Sequence, residues 1–187
     1  MAKNCLVTRV TGYIGGRLVP KLLAEGHNVR VLSRDASRLQ GRQWIDRVEV
    51  VEADVLKPET LGGALENIDI AYYLIHSMSG KGDSDFHQRD MQAAQNFGDA
   101  ARAEDVDRII YLGGLGNPDD KLSQHLSSRQ KTGETLRASG IPVTEFRAAI
   151  VVGSGSKSFE MVRYLTERVP VMICPSWVYS NVQPIAI

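Results

Sequence analysis

The chain is expected to adopt a doubly wound α/β fold, a parallel sheet with helices on both faces. Three observations predict it. Short apolar runs alternate with segments of helical periodicity along most of the sequence, the signature of repeated βαβ units. The runs are continuously apolar, as strands covered on both faces are. A glycine-rich turn links the first run to the first helical segment. Because parallel crossovers are nearly always right-handed, few topologies remain.

Each element has its own reason. Cys5-Leu6-Val7-Thr8 is a short buried strand, followed by a turn holding Gly12, Gly15 and Gly16. Leu18, Val19, Leu22 and Leu23 stand at helical spacing, and Gly26 closes that helix. Val29-Arg30-Val31-Leu32 and Val48-Glu49-Val50-Val51 are the second and third strands. Pro58 to Glu66 reads as a short helix with proline near its start, and Ile68 to Ile75 as a fourth, strongly apolar strand. Asp85 to Glu104 is a long helix with Ala93, Ala94, Phe97 and Ala101 on one face, suited to a second subunit or to the sheet. Ile109 to Leu112 is the fifth strand and runs into Gly113-Gly114. Ser123 to Ser139 is helical, stopped by Gly140 and Pro142. Val143 to Val152 is a sixth strand region, followed by a Gly/Ser turn, a helix from Phe159 to Glu167 and a short strand at Val171-Met172-Ile173.

Composition bounds the function. A length of 187 residues with 43% hydrophobic content predicts a single domain, residues 1–187, with a substantial core. Twenty-two basic residues balance 22 acidic ones, which argues against nucleic acid and against a polybasic membrane anchor. Mean hydropathy is −0.18, and no apolar run approaches the roughly 18 residues of a membrane span, so no membrane insertion is expected. Met1-Ala2-Lys3-Asn4 leads straight into the first strand without a secretory pattern. The two cysteines, Cys5 and Cys174, lie far apart. They suit a reducing, cytoplasmic setting rather than a disulfide framework or zinc ribbon. The closing Asn181-Val182-Gln183-Pro184-Ile185-Ala186-Ile187 reads as the approach to a further element, so a longer natural chain is expected.

The turn Thr8-Arg9-Val10-Thr11-Gly12-Tyr13-Ile14-Gly15-Gly16 carries the first chemistry. Placed between strand and helix, such a turn offers backbone N–H groups and a helix N-terminus to a pyrophosphate. Glycine is needed where a Cβ would hold the phosphate away. Glycines that only pack helix on strand would look the same.

With this turn the sequence resembles the short-chain dehydrogenase/reductase superfamily, and more closely its atypical NmrA-like and epimerase-like branch of NAD(P)-binding proteins. Ala53-Asp54-Val55, Ile109-Ile110-Tyr111-Leu112-Gly113-Gly114 and Thr144-Glu145-Phe146-Arg147-Ala148-Ala149-Ile150-Val151-Val152-Gly153 extend the resemblance over nearly the whole chain. It implies a Rossmann-like fold and a bound NAD(P)(H). The cofactor residues carried over are Thr8, Gly12, Tyr13, Ile14 and Gly15 of the turn, Ser33 and Arg34 after the second strand, Asp54 and Val55 at the adenine, and Lys131 at the nicotinamide ribose. The family turn reads Thr-Gly-x-x-Gly-x-x-Gly, but Arg9 stands at its first glycine. Arg9 either swings clear and pairs with a phosphate or crowds the pyrophosphate.

NAD-preferring relatives place an acid at the end of the second strand to hold the ribose 2′-hydroxyl. Here Ser33 takes that place, Arg34 follows and Arg38 can add charge, which favours NADP(H) over NAD(H). Solvated surface arginines and an Asp54 that merely caps the next helix are the plainer readings.

Redox members of the superfamily use a Ser/Thr, a Tyr and a Lys, with Tyr and Lys at i and i+4. Lys131 matches the lysine, but Ser127 stands where the tyrosine belongs, and Gly113-Gly114 occupies the place of the Ser/Thr. His76, at the carboxyl end of the fourth strand, is the other candidate acid or base, unless the following loop holds it. There is no P-loop ending, no zinc spacing and no Gly-x-Ser-x-Gly elbow. The expectation is an NAD(P)(H)-binding protein acting on an unidentified small molecule. It is either an oxidoreductase or epimerase-like enzyme with a degenerate triad or a non-catalytic NADP(H) sensor or assembly factor. A homodimer is possible on the alanine-lined helix face.

Overall fold

The computed structural model describes residues 1–76, 83–116, 123–169 and 183–187. The expected strand at Val171–Ile173 and Cys174 lie outside them. Two compact units are formed, Met1–Phe146 and Arg147–Ile187.

The first unit holds a six-stranded sheet in the order β3-β2-β1-β4-β5-β6. Its strands are β1 (Asn4–Thr8), β2 (Asn28–Ser33), β3 (Glu49–Glu52), β4 (Ile70–Tyr73), β5 (Arg108–Gly114) and β6 (Val143–Ala148). The ladders β1–β2, β2–β3, β1–β4 and β4–β5 are all parallel. The helices are α1 (Tyr13–Ala24), α2 (Gly62–Leu65), α3 (Asp83–Ala103) and α4 (Gln124–Ala138). This is the doubly wound, Rossmann-like fold expected. The strand order reverses direction between β1 and β4, and the carboxyl ends of those two strands flank a crevice.

Two hydrophobic clusters form the core. Val19 and Leu22 of α1 pack on Cys5, Val7, Val29 and Val31. Phe97 and Ala101 of α3 and Leu136 of α4 pack on Leu6, Tyr73, Ile109 and Tyr111. Tyr73 stacks obliquely on Phe97, ring centroids 4.9 Å apart. Ala93, Ala94, Phe97 and Ala101 are all buried in this cluster. That face of α3 is therefore core, and is taken by the sheet rather than offered to a second subunit.

Several boundaries differ from expectation for local reasons. The fourth strand is shorter because Ile68 N–H bonds back to Leu65 and Leu74 N–H bonds to the Thr8 hydroxyl instead of a strand carbonyl. Pro58–Glu66 divides into a 3-10 turn, Pro58–Thr60, and α2. The sixth strand region breaks at Ala149. Beyond it β7 (Ile150–Val152) pairs in parallel with β8 (Pro184–Ala186), forming a separate two-stranded sheet. In that second unit α5 (Lys157–Arg168) is capped by Ser156, whose hydroxyl accepts from Phe159 N–H.

Candidate functional site

The turn after β1 is tight. Arg9 takes a left-handed backbone, φ 52°, a conformation that costs an L-residue about 1–2 kcal/mol and suits the glycine expected there. Gly12 N–H bonds to Arg9 carbonyl at 3.0 Å, and Gly16 N–H to Gly12 carbonyl at 3.0 Å, so α1 starts directly on the turn. A Cβ on Gly15 would stand 2.7 Å from Arg9 carbonyl oxygen and 3.0 Å from Val10 Cα. Both are backbone atoms that cannot step aside, so glycine is required at 15 by close approach. The first turn of α1 carries no acidic side chain, and its N-terminus presents the positive end of the helix dipole.

The Arg9 side chain lies over this turn. A Cβ on Gly12 would be 3.6 Å from Arg9 Cγ and 3.8 Å from its Nε. The guanidinium then crosses from β1 toward β4, where Nη1 donates to His76 carbonyl at 2.7 Å. Burial, and then the Arg129 guanidinium, lower the Arg9 pKa. On the far side of the turn, Arg42 donates to Thr11 carbonyl at 3.3 Å.

A cavity of about 430 Å³ opens beside the turn, lined among others by Ser33, Arg34, Arg38, Asp54, Val55 and His76. Arg9, Arg89 and Asp90 also line it. Four arginines face two carboxylates, which makes the cavity suited to phosphates. Arg34 and Arg38 are exposed at its edge. Ser33 is buried, and its hydroxyl donates to Asp35 carbonyl at 2.8 Å, closing the turn after β2. Asp54 accepts from Leu56 N–H at 3.1 Å, so part of its carboxylate shapes its own loop. Asn96 of α3 donates to Val55 carbonyl at 2.9 Å and fixes that loop from below. Thr8 is wholly buried, and its hydroxyl bridges Tyr72 carbonyl and Leu74 N–H. Its side chain ties β1 to β4 and does not face the cavity. Tyr13 stacks under the Arg17 guanidinium at 4.8 Å.

The end of β5 is different. A Cβ on Gly113 would overlap the Glu145 carboxylate, and one on Gly114 would stand 2.7 Å from Leu126 Cδ2 and 3.1 Å from Arg129 Cδ. Side chains of β6 and α4 thus lie close against the end of β5. Tyr111 is buried in the core and donates to Arg129 carbonyl at 2.9 Å. Ser127 is half-buried and Lys131 is exposed; neither lines the cavity.

His76 is brought to the cavity. Burial, with the Arg129 and Arg9 guanidiniums and His125 nearby, lowers its pKa to about 3. At neutral pH the imidazole is uncharged. Arg129 and Asn96 were missed because nothing in their spacing marks them. Only the fold brings Asn96 to the Val55 carbonyl and Arg129 against Gly114. Among the described residues no His, Cys, Asp and Glu group could hold a metal ion, and no helix is long and apolar enough to cross a membrane.

A family model described as NAD(P)H-binding matches residues 10–161, well over half of the chain. The chain belongs to the NAD(P)H-binding family. The sequence is 26% identical over 168 residues to a ceramide reductase of Caulobacter vibrioides, covering 89% of this chain and 52% of the relative. It is 30% identical over 148 residues to the photosystem II assembly factor Ycf39 of Cyanophora paradoxa, covering 77% of this chain and 44% of the relative. The chain thus spans about half the length of these relatives. Among solved structures, the Citrobacter sp. triphenylmethane reductase complexed with NADP(H) superposes with a TM-score of 0.69 at 22% identity, covering 88% of this chain and 55% of that one. These matches agree with the atypical short-chain dehydrogenase/reductase branch read from the sequence.

Proposed function

We propose that this chain binds NADP(H) in preference to NAD(H), and that binding rather than acid–base-assisted turnover is its activity. The observation that carries the reading is the contrast along the crevice: an arginine-lined cavity at β2 and β3, and a filled end of β5. In this proposal the turn Gly12–Gly15 and the N-terminus of α1 take the pyrophosphate. Arg34 and Arg38, with Ser33 in place of an acid, take the 2′-phosphate. Asp54 and Val55 border the adenine. Lys131 is left as the candidate for the nicotinamide ribose, reached from an exposed position on α4. Bound NADPH would supply a hydride. The chain's own residues supply no matched proton donor, since Ser127 has no acidic phenol and His76 is neutral.

The sensor or assembly reading is supported by the assembly-factor relative, and the reductase reading by the ceramide reductase relative. The proposed setting is cytoplasmic, in keeping with Cys5, a buried thiol whose pKa burial pushes up to about 11. Calorimetric titration with NADPH and NADH tests the cofactor, and prolonged incubation of the NADPH complex with a carbonyl panel tests turnover. The expected result is tighter NADPH binding and no oxidation above background. Equal affinities overturn the cofactor preference, and sustained oxidation establishes the reductase reading instead.

A further inference from the structure

Arg9 departs from the glycine of the family turn, and the structure gives its side chain a definite place. It covers Gly12 on the very surface where a glycine lets a phosphate approach the backbone. Its guanidinium is fastened to His76 carbonyl at 2.7 Å. That bond spans the carboxyl ends of β1 and β4, the two strands between which the sheet reverses order. A dinucleotide in a doubly wound fold lies across this crevice, with one nucleoside on each side. The Arg9–His76 bond therefore stands between the two halves. Arg9 itself lines the cavity that opens beside β2 and β3, together with Ile75 and His76 beyond β4.

We infer that Arg9 is a specificity residue that makes the crevice favour an adenine nucleotide ending in a terminal phosphate, of the adenosine 2′,5′-bisphosphate class, over a full dinucleotide. This rests on the proposed NADP(H) reading and adds a division within that site. A terminal phosphate reaches the near side of the Arg9 guanidinium and the N-terminus of α1, and gains a charge-assisted contact. A dinucleotide continues past that point. It must detach Arg9 from His76 and lift the side chain from Gly12 before its second nucleoside can pass. The loss of that bond leaves His76 carbonyl, half-buried, to find another donor.

The test compares adenosine 2′,5′-bisphosphate with NADPH by calorimetry on the unmodified chain, Arg9→Gly and Arg9→Asn. Asparagine tolerates the left-handed backbone but cannot span to His76, so it separates the side chain's reach from the backbone's strain. Circular dichroism confirms that each variant is folded. The expected result is a shift of about tenfold in the affinity ratio toward NADPH in both variants, which is about 1.4 kcal/mol. An unchanged ratio, or a shift toward the bisphosphate, overturns the inference while leaving the NADP(H) reading intact. Binding of neither ligand to the unmodified chain or to Arg9→Gly overturns both. A shift in Arg9→Gly alone assigns the effect to backbone strain and overturns the latch.

Discussion

The crevice has two unlike ends. Beside β2 and β3 it is an open cavity walled by arginines, and the loops that border it are fixed by Asn96 below and by turns closed through Ser33 and Asp54. At the end of β5 the corresponding space is filled by Glu145, Leu126 and Arg129. One parallel sheet carries both, so the backbone alone does not decide whether a strand end binds or is sealed. Side-chain volume does. Binding of a nucleotide and chemistry on its far end are separable properties of this fold, and the proposed function rests on that separation.

The strongest way to break the open end is to thicken its turn. Gly15→Ala places a methyl against two backbone atoms, at 2.7 and 3.0 Å. Overpacking of this kind costs about 1–3 kcal/mol, and a chain of this size loses roughly 2–4 °C in Tm per kcal/mol. A melting temperature lower by about 5 °C or more, with loss of NADPH binding, is expected from thermal melts and titration. Gly63→Ala is the control, since nothing lies within 4 Å of its added Cβ. An unshifted Gly15→Ala would show that the turn has slack.

Arg34→Ala tests the cavity's charge without touching its backbone. Arg34 is exposed at the cavity rim. A charge-assisted contact to a 2′-phosphate contributes about 1.5–3 kcal/mol, so NADPH affinity should fall about ten- to hundredfold while NADH affinity stays within a few-fold. Parallel losses for both cofactors would place Arg34 away from the 2′-phosphate.

His76 links the two ends and gives a smaller, pH-dependent effect. Its pKa is about 3 in the folded chain and near 6.5 when unfolded. The unfolded state therefore takes up a proton first, and its stabilising effect is full above pH 6.5 and is lost as pH falls toward 3. By pH 5 the loss from this group is about 2 kcal/mol. Urea denaturation at pH 7 and pH 5 should show that loss, and His76→Gln, which keeps the backbone carbonyl that holds Arg9, should remove it. Identical pH dependence in both chains would mean that the imidazole is well solvated.

The legible and illegible parts divide along the same line. The strands and helices were readable because apolar runs and helical spacing are local, and Gly15 was readable because its need comes from the adjacent turn. The break at Ala149 was not, because β7 finds its ladder in β8, more than 30 positions away. Ser33 and Arg34 were placed at the cavity by counting along β2. Arg129 was invisible, since it reaches Gly114 only through the packing of α4 on β5. His76 stands at the carboxyl end of β4, as its place in the sequence implies, but its charge state depends on burial and on guanidiniums from α4 and from the turn after β1, which no local pattern predicts.

The smallest expected effect is the most telling about the sealed end. Ser127→Tyr restores a phenol four residues before Lys131, the spacing that puts both on one side of α4. On spacing alone, such a variant should gain carbonyl reduction. The structure argues that it will not. A phenol acts in concert with a hydroxyl from the end of β5, and Gly113 and Gly114 offer none. A serine or threonine at position 114 would have to displace the Leu126 and Arg129 side chains, whose Cδ atoms stand 2.7 and 3.1 Å from its Cβ. Lys131 remains exposed on the helix, where its ammonium is hydrated and a weak influence on a neighbouring phenol. NADPH oxidation by Ser127→Tyr, followed at 340 nm across a panel of aldehydes and ketones, should match the unmodified chain within error. A reproducible gain over that baseline would mean that the end of β5 opens when the nucleotide binds, and that the two ends of the crevice are coupled after all.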